Sequence, residues 1–129
     1  ECVLIAPSNP VTSIGPILAV PGIREALMKT PARVAAISPI VGGAAVSGPA
    51  GALMKTQGLA VSAEGVARAY SDFLDVLIVD ERDAAEKPAV ERLGIELRNA
   101  RTLMKSDADK AGLAWAVLEI VKRAAAVEQ

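Results

Sequence analysis

Three short polar stretches each follow an apolar run, and they hold most of the residues able to do chemistry: Pro7-Ser8-Asn9-Pro10-Val11-Thr12-Ser13, Ser38-Pro39-Ile40-Val41-Gly42-Gly43 and Asp80-Glu81-Arg82-Asp83. In the first, the side chains of Ser8, Asn9, Thr12 and Ser13 gather where a helix can begin, and a helix start with open N–H donors favours phosphate oxygens. The same residue types are ordinary capping and turn formers. Neither G-x-G-x-x-G nor G-x-x-x-x-G-K-[ST] is present to sharpen the phosphate reading. In the second stretch, Ser38 and Pro39 with Gly42 and Gly43 let backbone approach a flat ligand or a phosphate, because glycine lacks the Cβ that would block it; a plain connection explains them equally well. In the third, Asp80 and Glu81 could hold a metal ion or orient a base, or form solvated surface behind a strand.

Composition removes several classes of function. The 129-residue chain is 52% hydrophobic, enough for one core. Its 14 basic and 15 acidic residues leave a net charge of −1, so bulk electrostatics would not hold nucleic acid or an anionic membrane. Tyr70, Phe73 and Trp115 are too few to stack a single strand. With no histidine and one cysteine, Ser-His-Asp and Cys-His catalysis, the usual zinc sites and an internal disulfide are excluded within this chain. Cys2, in the opening apolar run, reads as a packed small hydrophobe, and Trp115 reads as core. No basic leader and no membrane-length apolar run is visible, so the expectation is a soluble, cytoplasmic protein.

The elements that would position the three stretches alternate. Val3-Leu4-Ile5-Ala6 reads as a strand with both faces covered, Ala32 to Ile37 as a second, Asp75 to Val79 as a third and Ile95 to Leu97 as a short fourth. Thr12 to Val20, broken by Gly15 and Pro16, predicts one bent or two short helices, followed by a helix over Gly22 to Lys29. Further helices are expected from about Pro49 to Thr56, from Ala63 behind the N-cap Ser62, and over Pro88 to Leu93. Ser106 and Asp109 open a last helix whose apolar positions are Leu113, Ala116, Val117, Ile120, Val121 and Ala124, with Trp115 and Leu118 spreading wider than one face. The pentapeptide ALMKT at 26–30 and 52–56, echoed by TLMKS at 102–106, is not a repeat, since two copies end helices and the third precedes one. The expected fold is α/β, a Rossmann-like three-layer sandwich with a mainly parallel sheet, in which ligands sit beyond the C-terminal strand ends. The opening directly on a strand suggests the C-terminal half of a larger domain.

The blocks APSNPVTSIGPILAVPGIREAL (6–27), AISPIVGGAAVSGPA (36–50), GVARAYSDFLDVLIVDERDA (65–84) and TLMKSDADKAGLAWAVLE (102–119), in this order and spacing, resemble the C-terminal portion of the 2-phospho-L-lactate transferase family of coenzyme F420 biosynthesis. The resemblance covers nearly the whole chain. It implies an enzyme that moves a 2-phospholactyl or phosphoenolpyruvyl group from a guanosine-diphosphate-linked donor to the deazaflavin Fo, giving F420-0 or its dehydro form and GMP, with Mg²⁺ as cofactor. Such a transfer needs a hydroxyl aligned with a diphosphate phosphorus and positive charge for the leaving group. It further implies that Ser8, Asn9, Thr12 and Ser13 face the nucleotide or diphosphate, that Ser38, Pro39, Gly42 and Gly43 help line the same cleft, and that Asp80 and Glu81 either contact a metal directly or support the groups that do.

Because family members are longer, the segment alone is expected to be inactive; a homodimer is the expected assembly. The alternative is a relative on the same scaffold that binds a nucleotide sugar or a dinucleotide and regulates without catalysis. Such a relative would carry glycines where this chain has Ser8-Asn9-Pro10.

Overall fold

Strands β1 (Cys2–Ile5), β2 (Arg33–Ile37), β5 (Val76–Asp80) and β6 (Glu96–Ala100) form one sheet in the order β1-β2-β5-β6, every pair parallel. The computed structural model describes residues 1–127. Each parallel neighbour requires a crossover. Helices α1 (Gly15–Leu18) and α2 (Ile23–Lys29) connect β1 to β2, and α3 (Ala50–Thr56) and α4 (Ala63–Ala69) connect β2 to β5. A 3₁₀ turn (Glu81–Glu86) and α5 (Lys87–Glu91) connect β5 to β6, and α6 (Asp107–Val127) ends the order.

The alternation of side chains along each strand divides the core into two layers. Val34, Ala36, Leu77, Val79 and Leu97 pack with residues of α1 and α3–α5, among them Leu18, Met54, Val66 and Val90. Ala35, Ile37, Val76, Ile78 and Ala100 pack against Leu113 and Val117 of α6. This is the three-layer, Rossmann-like α/β arrangement expected from the alternating pattern. Burying each branched side chain of this kind contributes about 1.5–3 kcal/mol, which makes the sheet the rigid reference for the loops at its end.

Local chemistry fixes the helix starts. Ser62 Oγ accepts the Gly65 N–H at 3.1 Å, and Glu86 from the 3₁₀ turn accepts the N–H groups of Ala63 and Glu64 at 3.1 Å each, so α4 is capped from its own chain and from a second element. Gly65 is required here by close approach, because a Cβ would lie 1.8 Å from the Ala60 carbonyl oxygen. Ser106 Oγ accepts the Asp109 N–H at 3.1 Å, and Asp109 accepts the Lys105 N–H at 2.9 Å, the reciprocal start expected for α6. Leu113 and Val117 are buried, with Ala116, Ile120 and Val121 packed beside them; the side chain of Ala124 lies outside the described residues.

Four sequence expectations change. Ser38 to Gly43 is not a loop: β3 (Ile40–Val41) and β4 (Ala44–Ala45) form an antiparallel hairpin, with Gly42 and Gly43 at φ 61° and 81° making its two-residue turn. β1 is the sheet's edge, and it is not covered on both faces, since Leu4 is 48% exposed. Cys2 is likewise exposed rather than packed. Trp115 is 66% exposed and stands with Leu118 on the side of α6 away from Leu113 and Val117, because residues two and five positions from Leu113 rotate off the buried stripe.

Candidate functional site

The C-terminal strand ends bring together residues far apart in sequence. Beyond β1, the chain enters a π-helical turn (Pro10–Ile14) in which the Asn9 carbonyl accepts both the Ser13 and Ile14 N–H groups at 3.0 Å. Asn9 Oδ1 caps the same turn, accepting from Val11 N at 2.9 Å and Thr12 N at 3.2 Å. The backbone donors expected to be open to an anion are therefore already engaged. What the turn offers instead are side chains: the hydroxyls of Ser8, Thr12 and Ser13 make no hydrogen bond among the described residues, and neither does Asn9 Nδ2.

Ser8, Asn9, Thr12 and Ser13, with Pro7 and Pro39, form one side of a cavity of about 380 Å³. Its other side is the Val46-Ser47-Gly48-Pro49-Ala50 segment, and Thr102 and Met104 from the connection between β6 and α6 close it. The Val46 N–H donates to the Pro39 carbonyl at 3.1 Å, which ties the base of the hairpin to the start of that segment. Ser47 adds a further hydroxyl without a hydrogen-bond partner among the described residues. Among the described residues no cationic side chain lines the cavity. It can donate several neutral hydrogen bonds to phosphoryl or sugar oxygens but cannot neutralise their charge.

The remaining sequence candidates do other work. Ser38 is buried, and its hydroxyl is spent on Ile40, accepting its N–H and donating to its carbonyl at 3.2 Å. Gly42 and Gly43 do not line the cavity; the Gly42 N–H donates to both oxygens of buried Asp83 at 3.1 and 3.2 Å, fastening the hairpin to the 3₁₀ turn. Burial pushes the Asp83 carboxyl upward, with the Glu86 and Asp80 charges adding to it and the Gly42 N–H opposing.

Asp80 is a strut. Oδ1 accepts the Arg82 N–H at 3.2 Å, and Oδ2 accepts the Thr102 N–H at 3.2 Å and the Thr102 hydroxyl at 3.3 Å. Burial pushes its carboxyl upward, but these donors together outweigh burial and hold it below its ordinary range. Ionised, Asp80 is acceptor-only, so it pulls the connection after β6 onto the end of β5 and sets Thr102 at the cavity. Glu81 is exposed, with Arg101 Nε at 3.8 Å. Among the described residues no group of three or more metal-ligating side chains is found. With Asp80 engaged on both oxygens and Glu81 turned to Arg101, these residues do not fit a Mg²⁺ site.

The sequence reading thus located one wall of the cavity and missed two. Thr102 and Met104 were reachable by applying the strand-end rule to the fourth strand as it was applied to the first three. Ser47 and Gly48 reach the cavity only through the β3–β4 hairpin that precedes them, which the sequence pattern does not reveal.

The family profile described as 2-phospho-L-lactate transferase CofD matches residues 1–123. A protein of Methanosarcina mazei called 2-phospho-L-lactate transferase is 54% identical over 119 residues, which is 92% of this chain and 39% of that protein. Proteins of the same name from Methanosarcina barkeri and Methanocaldococcus jannaschii are 57% and 45% identical over 81% and 92% of this chain, and over 33% and 37% of their own length. The chain therefore spans little more than a third of the curated relatives it matches. Among the described residues no helix is long and apolar enough to cross a membrane.

Proposed function

Because this chain belongs to the 2-phospho-L-lactate transferase CofD family, we propose that it is part of an enzyme that transfers a phospholactyl group from a guanosine-diphosphate-linked donor to the deazaflavin Fo. The observation that carries this reading is the row of unengaged hydroxyls at the strand ends: Ser8, Thr12 and Ser13 on one wall of the cavity and Ser47 on the other. Several neutral donors lining one cavity suit phosphoryl oxygens, whose lone pairs accept from several directions.

In the transfer, the terminal hydroxyl oxygen of Fo forms a bond to the phosphorus that carries lactate. The bond from that phosphorus to the bridging oxygen breaks, GMP leaves with the electron pair, and the hydroxyl proton is released. The role assigned to this segment is to hold the diphosphate still while nucleophile and leaving group line up, which is the larger part of phosphoryl-transfer catalysis together with charge stabilisation. With no cation on its walls among the described residues, the cavity leaves charge stabilisation to the rest of the polypeptide. A Mg²⁺, which would supply such charge, would likewise take its ligands from outside this segment, given the engaged Asp80.

The test is an assay of the intact polypeptide with Fo, Mg²⁺ and either a phospholactyl or a phosphoenolpyruvyl guanosine diphosphate, following GMP release. GMP formed with one donor supports the transferase and identifies the group moved. Binding of a uridine diphosphate sugar with no turnover of either donor contradicts it and favours a regulatory nucleotide-binding protein.

A further inference from the structure

The π-helical turn that gives Thr12 and Ser13 to the first cavity gives Pro10 and Val11 to a second, of about 430 Å³, which also reaches Gly15 and Leu18 of α1. Its apolar surface comes from Val11, Leu18 and Leu59, and its polar side chains are Arg24, Gln57 and Tyr70. None of these residues lines the first cavity.

Tyr70 is the unusual member. It is 2% exposed, with its ring packed beside Phe73 at a centroid separation of 5.7 Å, yet its hydroxyl makes no hydrogen bond among the described residues. A buried phenol ordinarily finds a partner for its O–H. Tyr70 lines the cavity. Burial pushes the phenol well above its ordinary range, which keeps the proton in place and makes the group a donor at every physiological pH.

Arg24 is held in place at the same cavity. Its guanidinium lies 5.3 Å from the centre of the Phe73 ring and pairs through Nη1 with Asp72, which does not line the cavity. A guanidinium has five N–H donors, so this one contact leaves others for a ligand. Among the described residues, Arg24 is the only charged side chain on the walls. With Arg24 already shared with Asp72, the positive charge left for a ligand is too small for a phosphate dianion and suits a weaker monoanion.

We propose that this cavity is a second ligand site that takes a small organic carboxylate, its oxygens held by Arg24, the Tyr70 hydroxyl and the Gln57 amide and its short apolar body lying against Val11, Leu18 and Leu59. The site is independent of the transferase reading. Its occupant would touch Pro10 and Val11 of the turn that carries Thr12 and Ser13, giving it a direct mechanical route to the first cavity.

The experiment is calorimetric titration of the intact polypeptide with benzoate, and with benzamide as its neutral isostere. The site predicts saturable one-to-one binding of benzoate, with benzamide weaker by about tenfold or more. Arg24→Met and Tyr70→Phe should each weaken benzoate by about tenfold. Tyr70→Phe keeps the ring in the core, so it decides the matter alone if Arg24→Met fails to fold. Absence of saturable benzoate binding, equal binding of benzamide, or unchanged affinity in Tyr70→Phe overturns the proposal. So does a crystal structure of the intact polypeptide in which another segment fills the cavity and accepts the Tyr70 proton.

Discussion

Replacing Asp80 by alanine separates a structural strut from a metal ligand. The carboxylate caps the 3₁₀ turn through Arg82 N and receives both the N–H and the hydroxyl of Thr102, which is 6% exposed. The cap is worth about 1 kcal/mol. The two bonds from Thr102 to an ionised acceptor fall in a range of roughly 1.5–3 kcal/mol each, and their lengths of 3.2 and 3.3 Å place them at its lower end. Asp80→Ala should therefore destabilise by about 4 kcal/mol, the sum of these three contributions. Asp80→Asn should recover part of this, because its Oδ1 can still accept from Thr102 while its NH₂ would face the Arg82 N–H. The sign of the pH dependence follows from the lowered carboxyl. Its contribution is fully present above the unfolded carboxyl value of about 3.9 and is lost as pH falls through the still lower folded value. Urea unfolding of the intact polypeptide without Mg²⁺ should show the gap between wild type and variant at pH 7, narrowing below about pH 4. A variant as stable as wild type without Mg²⁺, and less responsive to added Mg²⁺, would mean that Asp80 is an uncompensated charge awaiting a metal, and would refute the strut.

Other perturbations probe the rest of the arrangement. Asp83→Asn should stabilise at neutral pH and lose that advantage toward pH 4: the folded carboxyl is raised, so its ionised form weakens the fold as pH climbs through the folded value, and melting curves at the two pH values check this. Gly65→Ala should lower stability by roughly 3 kcal/mol or more, since the new methyl meets backbone at 1.8 Å, and an unchanged melting temperature would show that α4 can move aside. Asn9→Ala should cost about 1 kcal/mol through the lost cap and also weaken guanine-nucleotide binding; unchanged affinity would remove Asn9 from the site. The triple change Ser8→Ala, Thr12→Ala and Ser13→Ala should weaken GDP by about tenfold or more while leaving stability nearly unchanged, because these hydroxyls hold nothing else among the described residues.

The parts legible in the sequence were those with a local cause. Val34 to Ile37 and Val76 to Val79 are apolar without alternation because helices cover both faces, and that pattern alone marks interior parallel strands. Ser62, Ser106 and Asp109 cap helices through atoms a few residues away, so spacing revealed them. The misses were all tertiary. Cys2 and Leu4 have interior-strand composition but stand on an edge, and nothing in four residues tells a strand how many neighbours it has. Trp115 is a large apolar residue on an exposed helix face, where type points one way and position the other. The bracing role of Asp80 was hidden because its partner Thr102 lies 22 residues on. Gly42 and Gly43 looked like a ligand approach because the Asp83 anchor that makes them a hairpin turn is 41 residues from Gly42. Of the candidate site, the Ser8-to-Ser13 wall was visible as a polar cluster at a strand end, while the walls at Ser47 and Thr102 depend on a hairpin and a buried carboxylate that only the folded chain brings together.

A crystal structure of the intact polypeptide with GDP bound tests the central claim most directly. The phosphates should lie in the cavity between the Ser8-to-Ser13 wall and Ser47, with at least two of the Ser8, Thr12, Ser13 and Ser47 hydroxyls within about 3.2 Å of phosphate oxygens. Phosphates bound at the N-terminal ends of the strands, or held only by residues outside this segment, would contradict it.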